Sequence, residues 1–195
     1  MQIKFSQSIE PMVKKLGRSA TEVGEGMRYT LSDSKVGKDV YTRSANSCTA
    51  FVVNSGEHNL MGHIDPQFFN RRTFLDKFRP MLDSFLDKFG EAKAVITGGW
   101  EVSRLDPKVR TSSCEVYSTV AEALDELPLT MVCGKKNGVR TFDNLLASGD
   151  KITLSNEAFE KLGLSPDKIK SMKPEEIESI LQKTHEWVEI DPSML

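Results

Sequence analysis

Cysteine is scarce in this chain, and the pattern of its few thiols excludes a common structural role. The 195 residues contain three cysteines, Cys48, Cys114 and Cys133, an odd number that cannot pair completely within the chain. None of them stands in a Cys-x-x-Cys spacing or in another spacing typical of metal ligands. The sequence therefore predicts no structural zinc site and no cofactor, and it favours a reducing compartment such as the cytoplasm.

The chain also lacks a basic surplus and a long apolar run. Lysine and arginine together number 26, aspartate and glutamate number 28, and the formal net charge is −2. This balance disfavours binding to nucleic acid or to an anionic membrane surface. Residues 1–16 mix charged and apolar side chains without a signal-peptide core, and no apolar run could span a bilayer. We expect a soluble protein without membrane insertion, either cytoplasmic or secreted into a host cell by a system that needs no signal peptide.

The apolar pattern changes repeatedly between the two-residue period of strands and the 3.6-residue period of helices. Predicted strands cover residues 27–31, 40–42, 48–53, 58–63, 92–97, 129–133, 139–142 and 151–154. Predicted helices cover residues 8–16, 74–89 and 113–127. Pro80 would kink the second helix or divide it into two. The strand, helix and strand over residues 92–133 predict a βαβ unit.

Beyond residue 155 the composition changes to charged helical segments, predicted at 157–162 and 174–187. We therefore divide the chain into a domain over residues 1–155 and a C-terminal helical extension over residues 156–195. The last helix has one apolar face, which either packs against the domain or docks a partner. Packing is the favoured use.

One cysteine and one histidine flank a segment, residues 48–63, that is typical of a β-hairpin. If Ser55 and Gly56 are the two central loop residues, Cys48 lies directly opposite His63. Directly opposed residues share a face, with Cβ atoms about 4.5–5.5 Å apart. A thiol and an imidazole in this relation can form the thiolate and imidazolium pair of a cysteine nucleophile.

This pairing depends on the length of the loop. A three-residue loop or a bulge would shift the register by one residue and place the two side chains on opposite faces. A cysteine at the start of an apolar strand is also commonly a small buried hydrophobe. Spacing alone therefore leaves a catalytic and a structural role open for Cys48 and His63.

Two neighbouring features have competing interpretations. Gly98-Gly99 ends a predicted strand, where it either binds an anion through backbone amides or leaves room for a neighbouring backbone. No Gly-x-x-Gly or Gly-Lys-Ser follows, so the second interpretation is favoured. Asp65, which precedes Pro66, either orients His63 or caps the following turn, and capping is the simpler role.

The order of several short motifs resembles a known family. They are, in sequence order, Thr42, the loop Asn46-Ser47-Cys48, an apolar strand, His63 at the end of the next strand, Gly98-Gly99, a helix and a β-hairpin. This order resembles the chemoreceptor glutamine deamidases (CheD) and the catalytic domain of the cytotoxic necrotizing factor toxins. The resemblance covers residues 30–154, and Thr42 stands six residues before Cys48, where the deamidases place a threonine.

The resemblance implies a role for each matching residue. Cys48 would be the nucleophile, His63 the general acid and base, and Thr42 the residue that orients the imidazole. Backbone amides of Ser47 and Cys48 would stabilise the oxyanion, with the Asn46 side chain as a further donor. The family usually has glycine at the position of Asn46, so the oxyanion geometry is the part of the site that this departure puts in doubt.

The resemblance also implies a fold and a reaction. The fold would be an α+β layered sandwich, with a mixed β-sheet core flanked by helices. The reaction would be hydrolysis of a glutamine side-chain amide on a protein substrate, either a chemoreceptor-like protein or a host signalling protein. If an amine replaced water, the same site would perform transglutamination.

Two other classes of function compete with this one. A catalytically inactive protein of the same fold could act as a partner-binding module, which the asparagine at position 46 and the unmatched tail favour. A different Cys-His amidase or peptidase is the third alternative. The sequence does not predict the oligomeric state.

Overall fold

The computed structural model describes residues 1–6, 8–24, 35–43, 45, 48–98, 113–131 and 144–155, together with 168, 171–173 and 176. Several predicted features lie outside these residues. They are the strand at 27–31, loop residues Asn46 and Ser47, Gly99, Cys133, the strand at 139–142 and the tail helices at 157–162 and 174–187.

Strands in the described residues form two five-stranded sheets. In chain order they are β1 (Gln2–Phe5), β2 (Thr21–Glu22), β3 (Lys35–Gly37), β4 (Asp39–Thr42), β5 (Thr49–Ser55), β6 (His58–Ile64), β7 (Lys93–Gly98), β8 (Leu129–Met131), β9 (Asn144–Ser148) and β10 (Lys151–Ser155). The first sheet has the order β1-β10-β9-β4-β2, and the second has the order β3-β6-β5-β7-β8. Each contains both parallel and antiparallel neighbours. The predicted α+β class with mixed parallel and antiparallel strand pairing is confirmed. The strands are divided between two sheets and do not form a single one.

The two sheets pack face to face, with helices on their outer faces. Residues alternate along β5: Ala50 and Val52 belong to the core between the sheets, whereas Phe51 and Val53 belong to the core beneath the helices. Since both faces of β5 are covered, all seven of its residues are buried. The result is a four-layer arrangement of helix, sheet, sheet and helices, which encloses β5 in its centre.

Three α-helices lie within the described residues: α1 (Glu10–Leu16), α2 (Arg71–Phe89) and α3 (Ser113–Ala123). The α2 helix is continuous through Pro80, so this proline does not divide it into two helices. Helices α2 and α3 cover the second sheet, and α1 packs on the outer face of the first. None of the described helices is long and apolar enough to cross a membrane.

Local predictions succeeded where the pattern was strong and failed at the last hairpin. The βαβ unit is confirmed, because β7 and β8 are parallel neighbours separated in sequence by α3. The last hairpin pairs β9 with β10, so residues 144–148 form a strand where a loop was expected. Strands β1, β2 and β3 were not predicted. They have two to four residues each, too few to show a period.

A pair of buried asparagines joins the two sheets at the end that carries the β5–β6 turn. Asn54 and Asn59 face each other across the hairpin, and the Asn54 amide donates to the Asn59 carbonyl at 2.7 Å. The Asn59 amide in turn donates to the backbone carbonyls of Lys38 at 2.9 Å and Gly149 at 3.0 Å. These bonds tie the turn to the β9–β10 turn of the first sheet.

Candidate functional site

The β5–β6 hairpin has a different register from the predicted one. Ala50, and not Cys48, lies opposite His63, because Gly56 and Glu57 form the turn in place of Ser55 and Gly56. The predicted direct opposition of Cys48 and His63 is therefore wrong by two residues. A shift of two residues keeps every side chain on its predicted face, since the side-chain period of a strand is two.

Cys48 lies immediately before β5 and faces the interior of the sandwich. Its side chain is 3 % exposed and belongs to the core between the sheets, together with Ala45, Ala50 and Val52. Since Ala50 opposes His63, Cys48 is the diagonal neighbour of His63. Diagonal neighbours have Cα atoms about 7–8 Å apart and Cβ atoms somewhat closer, within reach of long or aromatic side chains.

A hydrogen-bond partner of the His63 imidazole lies in the opposite sheet. The Thr42 hydroxyl lies 2.6 Å from Nδ1 of His63, and both side chains are buried. The same hydroxyl donates its proton to the backbone carbonyl of Val23 at 2.7 Å. Because a hydroxyl has one proton and the carbonyl can only accept, the Thr42 oxygen must accept its other bond from Nδ1–H of His63.

This counting of protons fixes the tautomer of the imidazole. A neutral His63 carries its proton on Nδ1 and keeps its lone pair on Nε2. An imidazole with this tautomer can remove a proton from a thiol or from water at Nε2, as a general base does. Thr42 therefore joins the His63 imidazole to the backbone carbonyl of Val23, which is the final acceptor.

The loop that carries Cys48 packs against a glycine of β7. Gly98 has φ +82°, and a Cβ atom there would lie 2.2 Å from the carbonyl oxygen of Cys48 and 2.3 Å from that of Ala45. Glycine is required at this position both by the close approach and by the positive φ. For Gly98, the prediction of room for a neighbouring backbone is confirmed.

Asp65 has the capping role that was favoured for it. It precedes the short 3-10 helix Pro66–Phe68, and its carboxylate accepts a hydrogen bond from the backbone amide of Gln67 at 2.8 Å. Asp65 is also buried. It directly follows Ile64, at the end of the β5–β6 hairpin where Cys48 lies. The carboxylate stabilises the exit of the chain from β6.

Thr97 is a buried polar residue of this face that the sequence analysis did not single out. It pairs with Ala50 on the strand edge opposite to His63, and its side chain is fully buried. Thr97, Ala50 and His63 therefore form one row across three strands. The alternation of β7 could have indicated its orientation, but only once the pairing of β5 with β7 was known.

A cluster of charged side chains lies directly beside Thr42 at the surface. Arg43 contacts Glu22 through Nε at 3.0 Å and Glu10 at 2.8 Å, and it donates to the Tyr41 hydroxyl at 3.2 Å. The Tyr41 hydroxyl in turn donates to Glu22 at 3.2 Å. Partial burial disfavours the charged guanidinium, but the Tyr41 hydrogen bond and the two carboxylates outweigh it and raise the pKa of Arg43. We call Glu10, Glu22, Tyr41 and Arg43 the Arg43 cluster.

The other thiol and imidazole groups of the described residues lie elsewhere. His58 is exposed at the hairpin turn, where its ring stacks on Phe89 with centroids 4.0 Å apart. Cys114 is a partly buried cysteine on α3. No group of three or more potential metal ligands comes together within the residues that the structure describes.

Comparisons with known proteins do not assign the chain to a family. No protein-family model matches the sequence, and no curated protein matches it significantly. The chemistry of the site must therefore be argued from its own geometry.

Proposed function

We propose that this protein is a cysteine-dependent amidohydrolase of the CheD and necrotizing-factor type, which deamidates glutamine side chains of a protein substrate. The observation that carries the proposal is the arrangement of Val23, Thr42 and His63. It holds the imidazole in the tautomer that a general base requires, on the same interior face as Cys48.

The reaction would proceed through a thioester. Nε2 of His63 would take the proton of the Cys48 thiol as the sulfur attacks the carboxamide carbon. The imidazolium would then protonate the departing ammonia as the carbon–nitrogen bond breaks. Nε2 would next take a proton from water, whose oxygen attacks the thioester carbon, and the released thiolate would recover the proton. The products are glutamate and ammonia.

Two parts of this proposal come from the sequence resemblance. Backbone amides of Ser47 and Cys48, helped by the Asn46 side chain, would bind the oxyanion. A protein amine in place of water would give transglutamination at the same site. The substrate would be a chemoreceptor-like protein in the cytoplasm, or a signalling protein of a host cell if the enzyme is secreted.

One observation favours a second candidate function. Cys48 and His63 are each only 3 % exposed, so a substrate must gain access to a buried pair. If no substrate reaches them, the two side chains are core residues, and the protein is a partner-binding module of the same fold.

Thiol reactivity separates the two candidates. We would measure the rate of alkylation by iodoacetamide against pH in a variant that keeps Cys48 and carries Cys114→Ser and Cys133→Ser. A matched variant that keeps only Cys114, a partly buried thiol on α3, gives the reference rate. An activated Cys48 reacts rapidly below about pH 7, well under the free-thiol pKa of about 8.5.

His63→Gln in the Cys48-only background tests whether the imidazole causes this reactivity. We expect the labelling rate at pH 7 to fall to the Cys114 reference or below, with the fold of the variant checked by circular dichroism. Slow labelling of Cys48 that is insensitive to His63→Gln would refute the enzymatic proposal. Rapid labelling would justify incubation with glutamine-containing proteins and detection of the mass increase of about 1 Da on deamidation by mass spectrometry.

A further inference from the structure

We propose that the ion pair between Glu22 and Arg43 is a positioning device for His63, which makes the site sensitive to ionic strength. Neither residue would touch the substrate. They would act through the backbone of Val23 and the hydroxyl of Thr42, and the consequence for catalysis rests on the proposed function. The positioning of the His63 ring by Thr42 and Val23 does not depend on that function.

Four contacts and the peptide bond between Glu22 and Val23 connect Arg43 to His63. Arg43 holds Glu22 at 3.0 Å, and Glu22 is the last residue of β2. The next residue, Val23, donates its amide to the Tyr41 carbonyl at 2.7 Å. Its own carbonyl accepts the Thr42 hydroxyl, which in turn accepts from His63. The position of the Val23 carbonyl therefore determines whether the Thr42 hydroxyl can point away from the imidazole.

The strand that precedes this carbonyl is short. β2 consists of two exposed residues at the edge of its sheet, and among the described strands it pairs only with β4. So short a ladder is marginal without side-chain contacts. Three groups supply them: the Arg43 guanidinium, the Tyr41 hydroxyl, and the buried side chain of Val23. The Glu22 carboxylate receives the first two, so it links β2 to Tyr41 of β4 and to Arg43, which directly follows β4.

The exposure of the ion pair makes it responsive to salt. The Arg43 and Glu22 side chains are 40 % and 47 % exposed. Ion pairs at such positions are screened, because the Debye length falls from about 30 Å at 0.01 M to about 3 Å at 1 M salt. Added salt should therefore loosen β2 and release the Thr42 hydroxyl, while the buried hydrogen bonds themselves are hardly screened.

The test measures the imidazole directly. In ¹⁵N-labelled protein at a pH where His63 is neutral, the chemical shifts of Nδ1 and Nε2 report which nitrogen carries the proton. We expect Glu22→Gln to lower the ratio of Nδ1–H to Nε2–H tautomer by about two- to fivefold, the range of a single exposed ion pair. Salt should produce a change in the same direction in the wild type, and a smaller one in Glu22→Gln.

Two control variants distinguish positioning from general stability. Glu122→Gln removes the carboxylate of the Arg71–Glu122 pair, a 2.7 Å contact of similar exposure that lies between α2 and α3. Glu10→Gln removes the other partner of Arg43, which belongs to α1 and not to β2. Both should leave the tautomer ratio unchanged. If Glu22→Gln has no more effect than these controls, the proposal is wrong.

The results that would refute the proposed function differ from those that would refute the positioning role of Glu22 and Arg43. If Cys48 reacts no faster than the Cys114 reference but Glu22→Gln still shifts the tautomer, then the positioning of His63 stands and the enzymatic proposal falls. If Cys48 is activated and its alkylation rate at pH 7 drops in Glu22→Gln in proportion to the fraction of His63 in the Nδ1–H tautomer, both proposals are supported. An activated Cys48 with an unchanged tautomer ratio overturns the positioning role alone.

Discussion

Replacement of Thr42 by valine is the sharpest test of the hydrogen-bond chain at the site. Valine has nearly the same shape and is equally suited to a strand, so the change removes the hydroxyl without opening a cavity. It leaves the Val23 carbonyl and Nδ1–H of His63 without the partner that each has now, in a place where Thr42 is fully buried. The effect is therefore confined to two hydrogen bonds.

The size of the effect follows from these two bonds. A buried donor or acceptor that loses its partner costs about 1–3 kcal/mol. The two groups together cost about 2–6 kcal/mol, and the added buried methyl group returns about 1 kcal/mol. We expect the free energy of unfolding to fall by about 1–5 kcal/mol, a large part of the roughly 5–15 kcal/mol typical of a domain.

Urea unfolding followed by circular dichroism measures this loss, and Thr42→Ser is the matched control. Serine keeps the hydroxyl and loses one buried methyl group, which costs about 1 kcal/mol. Thr42→Val should therefore be the less stable variant, although it buries more apolar surface. If Thr42→Ser proves less stable than Thr42→Val, the hydroxyl does not hold the two groups, and the argument for the tautomer of His63 fails with it.

Three further predictions test the surroundings of the site. Gly98→Ala should destabilise the protein by more than about 3 kcal/mol in urea unfolding and expose Cys48 to alkylation, since the new Cβ would overlap backbone oxygens. Gly90→Ala has a similar φ, +81°, but open space around the new Cβ, so it should cost only the strain of its backbone conformation, about 1–3 kcal/mol. Thr49→Val should raise the unfolding free energy by about 1 kcal/mol, because the buried Thr49 hydroxyl has no hydrogen-bond partner among the residues that the structure describes; no gain would mean that the hydroxyl is satisfied in solution. Asn59→Ala should lower the unfolding free energy by about 2–4 kcal/mol, and a smaller loss would show that its hydrogen bonds do not join the sheets.

Much of the fold could be predicted because its signals are local. The stripe of Phe74, Phe78, Leu82 and Phe85 predicts one face of α2, and those side chains are buried on the second sheet. Glycine with positive φ ends the helix, at Gly90, as expected. The division of the strands into two sheets could not be predicted in this way. It depends on pairings such as β1 with β10, which join residues about 150 positions apart and leave no periodic trace.

The candidate site was predictable only in part, for a related reason. The two-residue error in the hairpin register did not change the face, because Cys48 and Ala50 are two residues apart and Ala50 lies opposite His63. An error of one residue would have placed the side chains of Cys48 and His63 on opposite faces of the sheet. The position of Thr42 beside His63 followed from the resemblance, since no local rule relates a short strand of one sheet to the end of a strand in the other.

The side-chain pattern of the sequence could not predict which group accepts the hydrogen bond of the Thr42 hydroxyl. Val23 takes part through its backbone carbonyl, which every residue has, so its identity carries no signal for the role. What the sequence does contain is Glu22 immediately before Val23 and Arg43 immediately after Thr42, two opposite charges that meet once β2 pairs with β4. Because the charges neighbour the two residues of the hydrogen-bond chain, any movement of the edge strand acts on the ion pair and on the imidazole together. A substitution of Glu22 should therefore change the tautomer ratio of His63, although the Glu22 carboxylate is exposed and does not contact the imidazole.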